Sequence, residues 1–221
     1  DALEPMTLAT NLGFAPYFGP LTPGFDVHDG VAAWTNQSAD SADVQGIAAQ
    51  DLLTGKRWIV TDMRAAYPVI NAMRVAWWED LGWGGSTPDR PARLMLRDLT
   101  TMDAPRMLAS IPPLKDYLIR SPRISEDWIV WEQGSYDHGE ANWPCWRVWA
   151  AGLNGAAARQ VADLGCTNEQ AQLTIDLNGA RLAYTNIDGM LVVLDLNSNA
   201  QQVSGPHGNR TMAWAGRYLF W

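Results

Sequence analysis

Five segments of this chain repeat one internal pattern, and that repeat constrains the fold more than any other feature of the sequence. VHDGVAAW ends at Trp34, INAMRVAW at Trp77, ISEDWIVW at Trp131, LNGARLAY at Tyr184 and WAGRYLFW at Trp221. An apolar residue stands seven positions before each final aromatic: Val27, Ile70, Ile124, Leu177 and Trp214. Between them lies a small turn containing Gly, Asn, Asp or Glu, then three or four residues of strand character. These anchors are 43, 54, 53 and 37 residues apart. Because the final aromatics recur in register, Trp34, Trp77, Trp131 and Tyr184 are expected in the core.

Each unit continues in the same way. After a variable segment comes a strand that closes on an Asp-Leu turn, in QGIAAQDLLTG, ARLMLRDLTTMD and MLVVLDLNSN. The side chains of Asp51, Asp98 and Asp195 can each bond the backbone two residues on and so set the hairpin. The third unit, WRVWAAGLNG, has no such Asp but carries Asn154-Gly155, a two-residue hairpin signal. A further strand follows each turn, at 57–61, 106–110, 159–163 and 201–204. No stretch shows a helical period, so the chain is expected to be all-β. Units of this length and content are those of a β-propeller. Four blades are recognisable, at about 25–67, 68–121, 122–173 and 174–211, with a partial fifth at 212–221, all in a single domain over 1–221. Residues 5–10 (PMTLAT) look like the last strand of a blade, and pairing them with the partial fifth blade would close the ring and remove its edges. The middle strand of that blade is missing from the sequence, which leads to the expectation that the propeller continues past Trp221.

The pattern resembles the TolB-type, WD-like propeller repeats, in which P-x-I-x-G-D-x-V-V-W is followed by Y-D-L-x-T-G in successive blades. The matching segments are Pro68 to Trp77 with Arg97-Asp98-Leu99, Pro122 to Trp131, and Ala49 to Gly55. The resemblance implies a fold and leaves activity open, since propellers host enzymes, receptors and scaffolds alike.

Composition excludes several functions. Net charge is −8 and the 16 basic residues are scattered, which argues against a nucleic-acid partner. No apolar run is long enough to span a bilayer. The N-terminus, Asp-Ala-Leu-Glu-Pro, lacks an initiator Met and a signal core, and reads as a processed end or a fragment. The two cysteines, Cys145 and Cys166, flank the Asn154-Gly155 hairpin at places that face each other across two strands. A disulfide there is the expectation, and it suits a periplasmic, secreted or cell-surface setting. Buried free thiols are the alternative. No Cys or His spacing suggests a metal site, and no cofactor is expected.

Chemistry, if present, is expected on the loops that follow the repeated aromatics, which are long in the first three blades: NQSADSADVQ, EDLGWGGSTPDRPA and EQGSYDHGEANWPC. Together with the strand ends before them they gather Trp78, Glu79, Asp80, Trp83, Glu132, Tyr136, Asp137, His138 and Trp143 as candidates for ligand or partner contact. Packing of these aromatics over neighbouring blades is the competing reading. No catalytic residue is assigned: there is no G-x-S-x-G elbow, and His138, flanked by Asp137 and Glu140, stands alone. The preferred expectation is a non-catalytic module that meets a protein partner or larger assembly. The alternative is a carbohydrate-binding or carbohydrate-active propeller, with a glycan held by aromatic faces and two carboxylates.

Overall fold

A computed structural model describes residues 24–38, 41–80, 91–113, 117–120, 122–135, 144–166, 175–206 and 212–220. The repeat folds as four antiparallel meanders and a hairpin. The first sheet is β1 (Phe25–His28), β2 (Val31–Ser38), β3 (Ser41–Asp51) and β4 (Arg57–Thr61), in that order. The second is β5 (Ala65–Asn71), β6 (Arg74–Glu79), β7 (Pro91–Asp98) and β8 (Arg106–Pro113). In the third, β9 (Tyr117–Ile119) and β10 (Arg123–Ile124) both pair with β11 (Trp128–Ser135), followed by β12 (Cys145–Gly152) and β13 (Arg159–Cys166). The fourth is β14 (Ile175–Asn178), β15 (Arg181–Thr185), β16 (Met190–Asp195) and β17 (Gln201–Pro206). The fifth holds two strands, β18 (Ala213–Ala215) and β19 (Tyr218–Phe220). The proposed strand at 5–10 lies outside the described residues.

Two details differ from the sequence reading. The repeated segment is two strands rather than one: the apolar anchor sits on a short inner strand and the aromatic on the next. The connecting turns reach the left-handed region at Asp29 and Gly30, at Ala72 and Met73, at Gly179 and at Gly216, reversing the chain within two residues. The variable segments therefore join the second strand of each sheet to the third. In the first sheet that segment is largely strand, because β2 runs on to Ser38 and β3 starts at Ser41.

The Asp turns form as the residues dictate. Asp51 Oδ1 accepts the Leu53 and Thr54 N–H groups at 2.9 and 2.8 Å, Asp98 Oδ1 that of Thr100 at 2.8 Å, and Asp195 Oδ1 those of Asn197 and Ser198 at 3.0 and 2.8 Å. The Asn154-Gly155 turn is wider than two residues. The ladder ends at the pair Ala150↔Arg159, and the Gly155 N–H bonds back to the Gly152 carbonyl at 3.2 Å. Register shifts on either side of Arg147–Val148 absorb the offset, so that Cys145 and Cys166 face each other and are joined by a disulfide.

Sheets pack face to face and share cores. One apolar cluster joins the first two sheets around Trp77, one joins the second and third around Trp78 and Trp131, and one joins the third and fourth around Trp146 and Tyr184. Trp34, Trp77, Trp131 and Tyr184 are all buried, as their register requires. Burying each such side chain contributes roughly 1.5–3 kcal/mol. Among the described residues, no helix is long and apolar enough to cross a membrane.

Candidate functional site

The inner strands of all five sheets surround a central cavity of about 690 Å³. Its wall is layered because the repeat is in phase. The apolar anchors Val27, Ile70, Ile124, Leu177 and Trp214 line it at one level. The residue after each anchor is His28, Asn71, Ser125 or Asn178 in the first four sheets, and these polar side chains stitch neighbours together. The Ser125 hydroxyl donates to the Gly179 carbonyl at 2.8 Å, the Asn178 amide to the Gly216 carbonyl, and Asn71 Nδ2 lies 3.2 Å from His28 Nε2. The residue before the anchor does the same in two sheets. Asp26 Oδ2 accepts the Ile70 N–H at 2.9 Å, and Asp176 Oδ2 accepts the Trp214 N–H at 2.8 Å. Arg74 closes the remaining junction, between the second and third sheets, by donating to the Glu126 carbonyl at 2.7 Å.

The loop-side candidates from the sequence are placed as follows. Trp78 is fully buried and meets Trp131 edge-on, with ring centroids 6.0 Å apart at 81°. Its ring is part of the seam between the second and third sheets. Glu79 is also buried, and its Oε1 accepts the Trp77 indole N–H at 3.0 Å and the Thr61 hydroxyl at 3.5 Å. Arg93, its cross-strand partner, spans Glu79 Oε2 at 3.1 Å and Asp80 Oδ2 at 2.8 Å through one nitrogen. Glu132 is buried and accepts from Arg120 Nη1 at 2.9 Å, while the Arg120 guanidinium stacks 4.2 Å from the centre of the Trp146 ring. Burial pushes the Glu132 carboxyl above its ordinary range, and the Arg120 and Arg123 charges only partly offset it. Trp83, Tyr136, Asp137, His138 and Trp143 lie outside the described residues.

The structure brings Glu79 and Asp80 together on Arg93 and keeps Glu132 apart from them. Glu79 stands two residues after its anchor aromatic and so shares the Trp77 face, toward the first sheet. Glu132 stands one residue after Trp131 and points to the opposite face, toward the fourth sheet. These two carboxylates, the ones most open to a glycosidic role, belong to different seams. Arg93 and Arg120, which neutralise them, were not singled out from the sequence. Glu79–Arg93 is a directly opposed pair, so a correct register for β6 and β7 would have revealed it. Arg120 has a weaker signal, the Pro122 that interrupts the inner strand between β9 and β10 and turns the preceding residues outward.

Four-stranded antiparallel sheets arranged around a channel are the blades of a β-propeller, and that is the class to which this fold belongs. No protein-family model and no curated protein matches the chain. Among solved structures, an acylaminoacyl peptidase in complex with Z-Gly-Gly-Phe-chloromethyl ketone aligns over 82% of this chain with a TM-score of 0.56 and 11% identity. The uncomplexed Pyrococcus horikoshii acylaminoacyl peptidase aligns over 82% with a TM-score of 0.55 and 11% identity. An uncharacterised protein from Listeria monocytogenes aligns over 85% of this chain and 57% of its own, with a TM-score of 0.51 and 10% identity. This chain spans 32% of the length of either peptidase, so the likeness extends to the fold and not to their activity.

Proposed function

We propose that this propeller is a non-catalytic module for protein interaction or assembly, working in an oxidising, extracytoplasmic compartment. The observation that carries the reading is the placement of apolar surface. The inner sheets bury theirs in shared seams, whereas the two end sheets of the series expose it. Phe25, Val27 and Ile59 are 50%, 46% and 72% exposed on the first sheet, and Tyr218 and Phe220 are 57% and 61% exposed on the fifth. Large apolar side chains grouped on open sheet faces are typical of surfaces that another protein covers. The acidic loop-side residues offer less to a reaction, because Glu79, Asp80 and Glu132 are each engaged by a guanidinium. The Cys145–Cys166 disulfide supports the compartment, since such bonds persist where the surroundings are oxidising.

The test is co-purification from the native source, quantified for the chain and for an Ile59→Asp, Phe220→Asp double variant, alongside turnover of a polysaccharide panel. A stoichiometric protein partner lost in the double variant is the expected result. Turnover of a polysaccharide that is abolished by Glu132→Gln would overturn the reading, as would the absence of any partner.

A further inference from the structure

Four complete blades define what belongs beside the fifth. In each, the third strand pairs with the second and ends in one arrangement. The N–H of a leucine donates to the carbonyl of the residue three positions after the apolar anchor: Leu52 to Gly30, Leu99 to Met73, Leu153 to Asp127 and Leu196 to Ala180, all at 2.8 Å. Asp or Gly precedes the leucine every time, and it sits opposite the residue four positions after the anchor, in the pairs Val31↔Asp51, Arg74↔Asp98, Trp128↔Gly152 and Arg181↔Asp195. Two positions earlier on the third strand stands a small or aliphatic side chain: Ala49, Leu96, Ala150 or Val193.

The fifth sheet presents the matching half of this arrangement. Arg217 holds the carbonyl position, Tyr218 the place opposite Asp or Gly, and Phe220 the place opposite the aliphatic residue. Among the described residues no strand pairs with the far edge of β19. Beside that edge lies a groove of about 590 Å³, walled by Leu191, Val193 and Gln202 of the fourth sheet and by Trp214 and Leu219 of the fifth. It continues the same seam that third strands fill between the other sheets.

We infer that the β19 edge and this groove form an acceptor site for an extended segment of a second polypeptide, of sequence aliphatic–any–Asp/Gly–Leu, which pairs antiparallel with β19 as a third strand. Main-chain bonds would hold the segment, and the aliphatic residue and leucine would choose it, which is the logic of strand addition to a sheet edge. The occupant is assigned to another chain because Tyr218 and Phe220 remain more than half exposed. The inference rests on the interaction role proposed above and names the chemistry of one partner.

The probe is a fluorescent peptide with the sequence of residues 190–199, MLVVLDLNSN, titrated into the full chain and followed by polarisation. Saturable binding is expected, weakened about tenfold or more (~1.4 kcal/mol) by Phe220→Asp in the chain or by Leu→Asp at the peptide position of Leu196. Phe220 is exposed, so the variant retains its fold, which far-ultraviolet circular dichroism checks. A photo-crosslinking residue at position 220 should capture the peptide. Absence of binding, binding indifferent to both substitutions, or a crosslink formed only within the chain would each overturn the inference. Such a failure concerns this edge alone, whereas the co-purification experiment reports on the whole surface, so the two ideas fail separately.

Discussion

Replacing Asp26 by Ala removes the carboxylate that ties the first blade to the second at the wall of the channel. Two bonds go with it: the one from the Val27 N–H at 2.9 Å and the one from the Ile70 N–H at 2.9 Å. The second matters more. Ile70 is 2% exposed, so its N–H loses an ionised acceptor and gains no water in exchange. A buried donor left without a partner costs about 1–3 kcal/mol, and the charged acceptor places the loss toward the upper half, at about 2–3 kcal/mol. For a domain of this size that lowers Tm by roughly 5–10 °C. Asp26→Asn should lose less, because the amide oxygen can still accept one of the two bonds. Urea titration gives the global figure, and hydrogen exchange at the Ile70 amide gives the local one. The amide should exchange markedly faster in the Ala variant, while the amide of Leu182 in the fourth blade should not. A loss below about 0.5 kcal/mol together with an unchanged Ile70 amide would refute the argument that these carboxylates pin the blades.

Gly165 sits at φ +77, and a Cβ there would lie 2.7 Å from Ile187 Cδ1 of the fourth blade. Gly165→Ala should therefore destabilise by about 1–3 kcal/mol, and Ile187→Ala in the same chain should restore the part due to the clash, as a double-mutant cycle in urea will report. Reducing Cys145–Cys166, which closes a separation of 21 residues, should cost about 3 kcal/mol, read as a lower urea midpoint at unchanged slope. For pH, burial alone would raise Asp98, but its bonds from Thr100 outweigh it and hold the carboxyl below its ordinary value. Its contribution is therefore full above the unfolded value near 3.8 and is lost as pH falls through the lower folded value. Glu132 has the opposite sign: its raised carboxyl makes the fold lose stability as pH rises through the window above 4.5, and Glu132→Gln should remove that slope from a plot of Tm against pH.

The parts legible in the sequence are those fixed by neighbours along the chain. An Asp bonding the N–H groups two and three residues on needs no knowledge of the rest of the protein, so the hairpins closed by Asp51, Asp98 and Asp195 could be read directly. The aromatic register was legible for a similar reason, since one phase repeats five times. The split of the repeat into inner strand and second strand was harder to see. In the second blade the reversal passes through Ala72 and Met73 at φ 44 and 64, residues that carry no turn signature. The division of Glu79 from Glu132 was within reach: they stand two and one residues after their aromatics, and in a strand that single step exchanges faces. Their guanidinium partners depended on register between strands, which composition does not supply.

The channel stitches also decide how the fifth sheet can bind. At its inner end the Trp214 N–H is held by Asp176 and the Gly216 carbonyl by Asn178, so β18 is placed by the fourth blade before any partner arrives. At its outer side β19 has hydrogen bonds to β18 alone, and its alternate residues Tyr218 and Phe220 face solvent. Local stability should follow that division, since exposed edges with few buried contacts open at low free energy while pinned segments approach the global value. Hydrogen exchange should show the Trp214 amide protected and the amides of Leu219 and Phe220 exchanging early. Saturating the chain with the strand peptide should slow the β19 amides and leave Trp214 nearly unchanged. Because the receiving hairpin is already oriented, most of the ordering cost falls on the incoming strand, and affinity should improve when that strand is presented preformed in a hairpin. Equal protection of Trp214 and Phe220 in the free chain would show that β19 is covered already, and the acceptor edge would have to be abandoned.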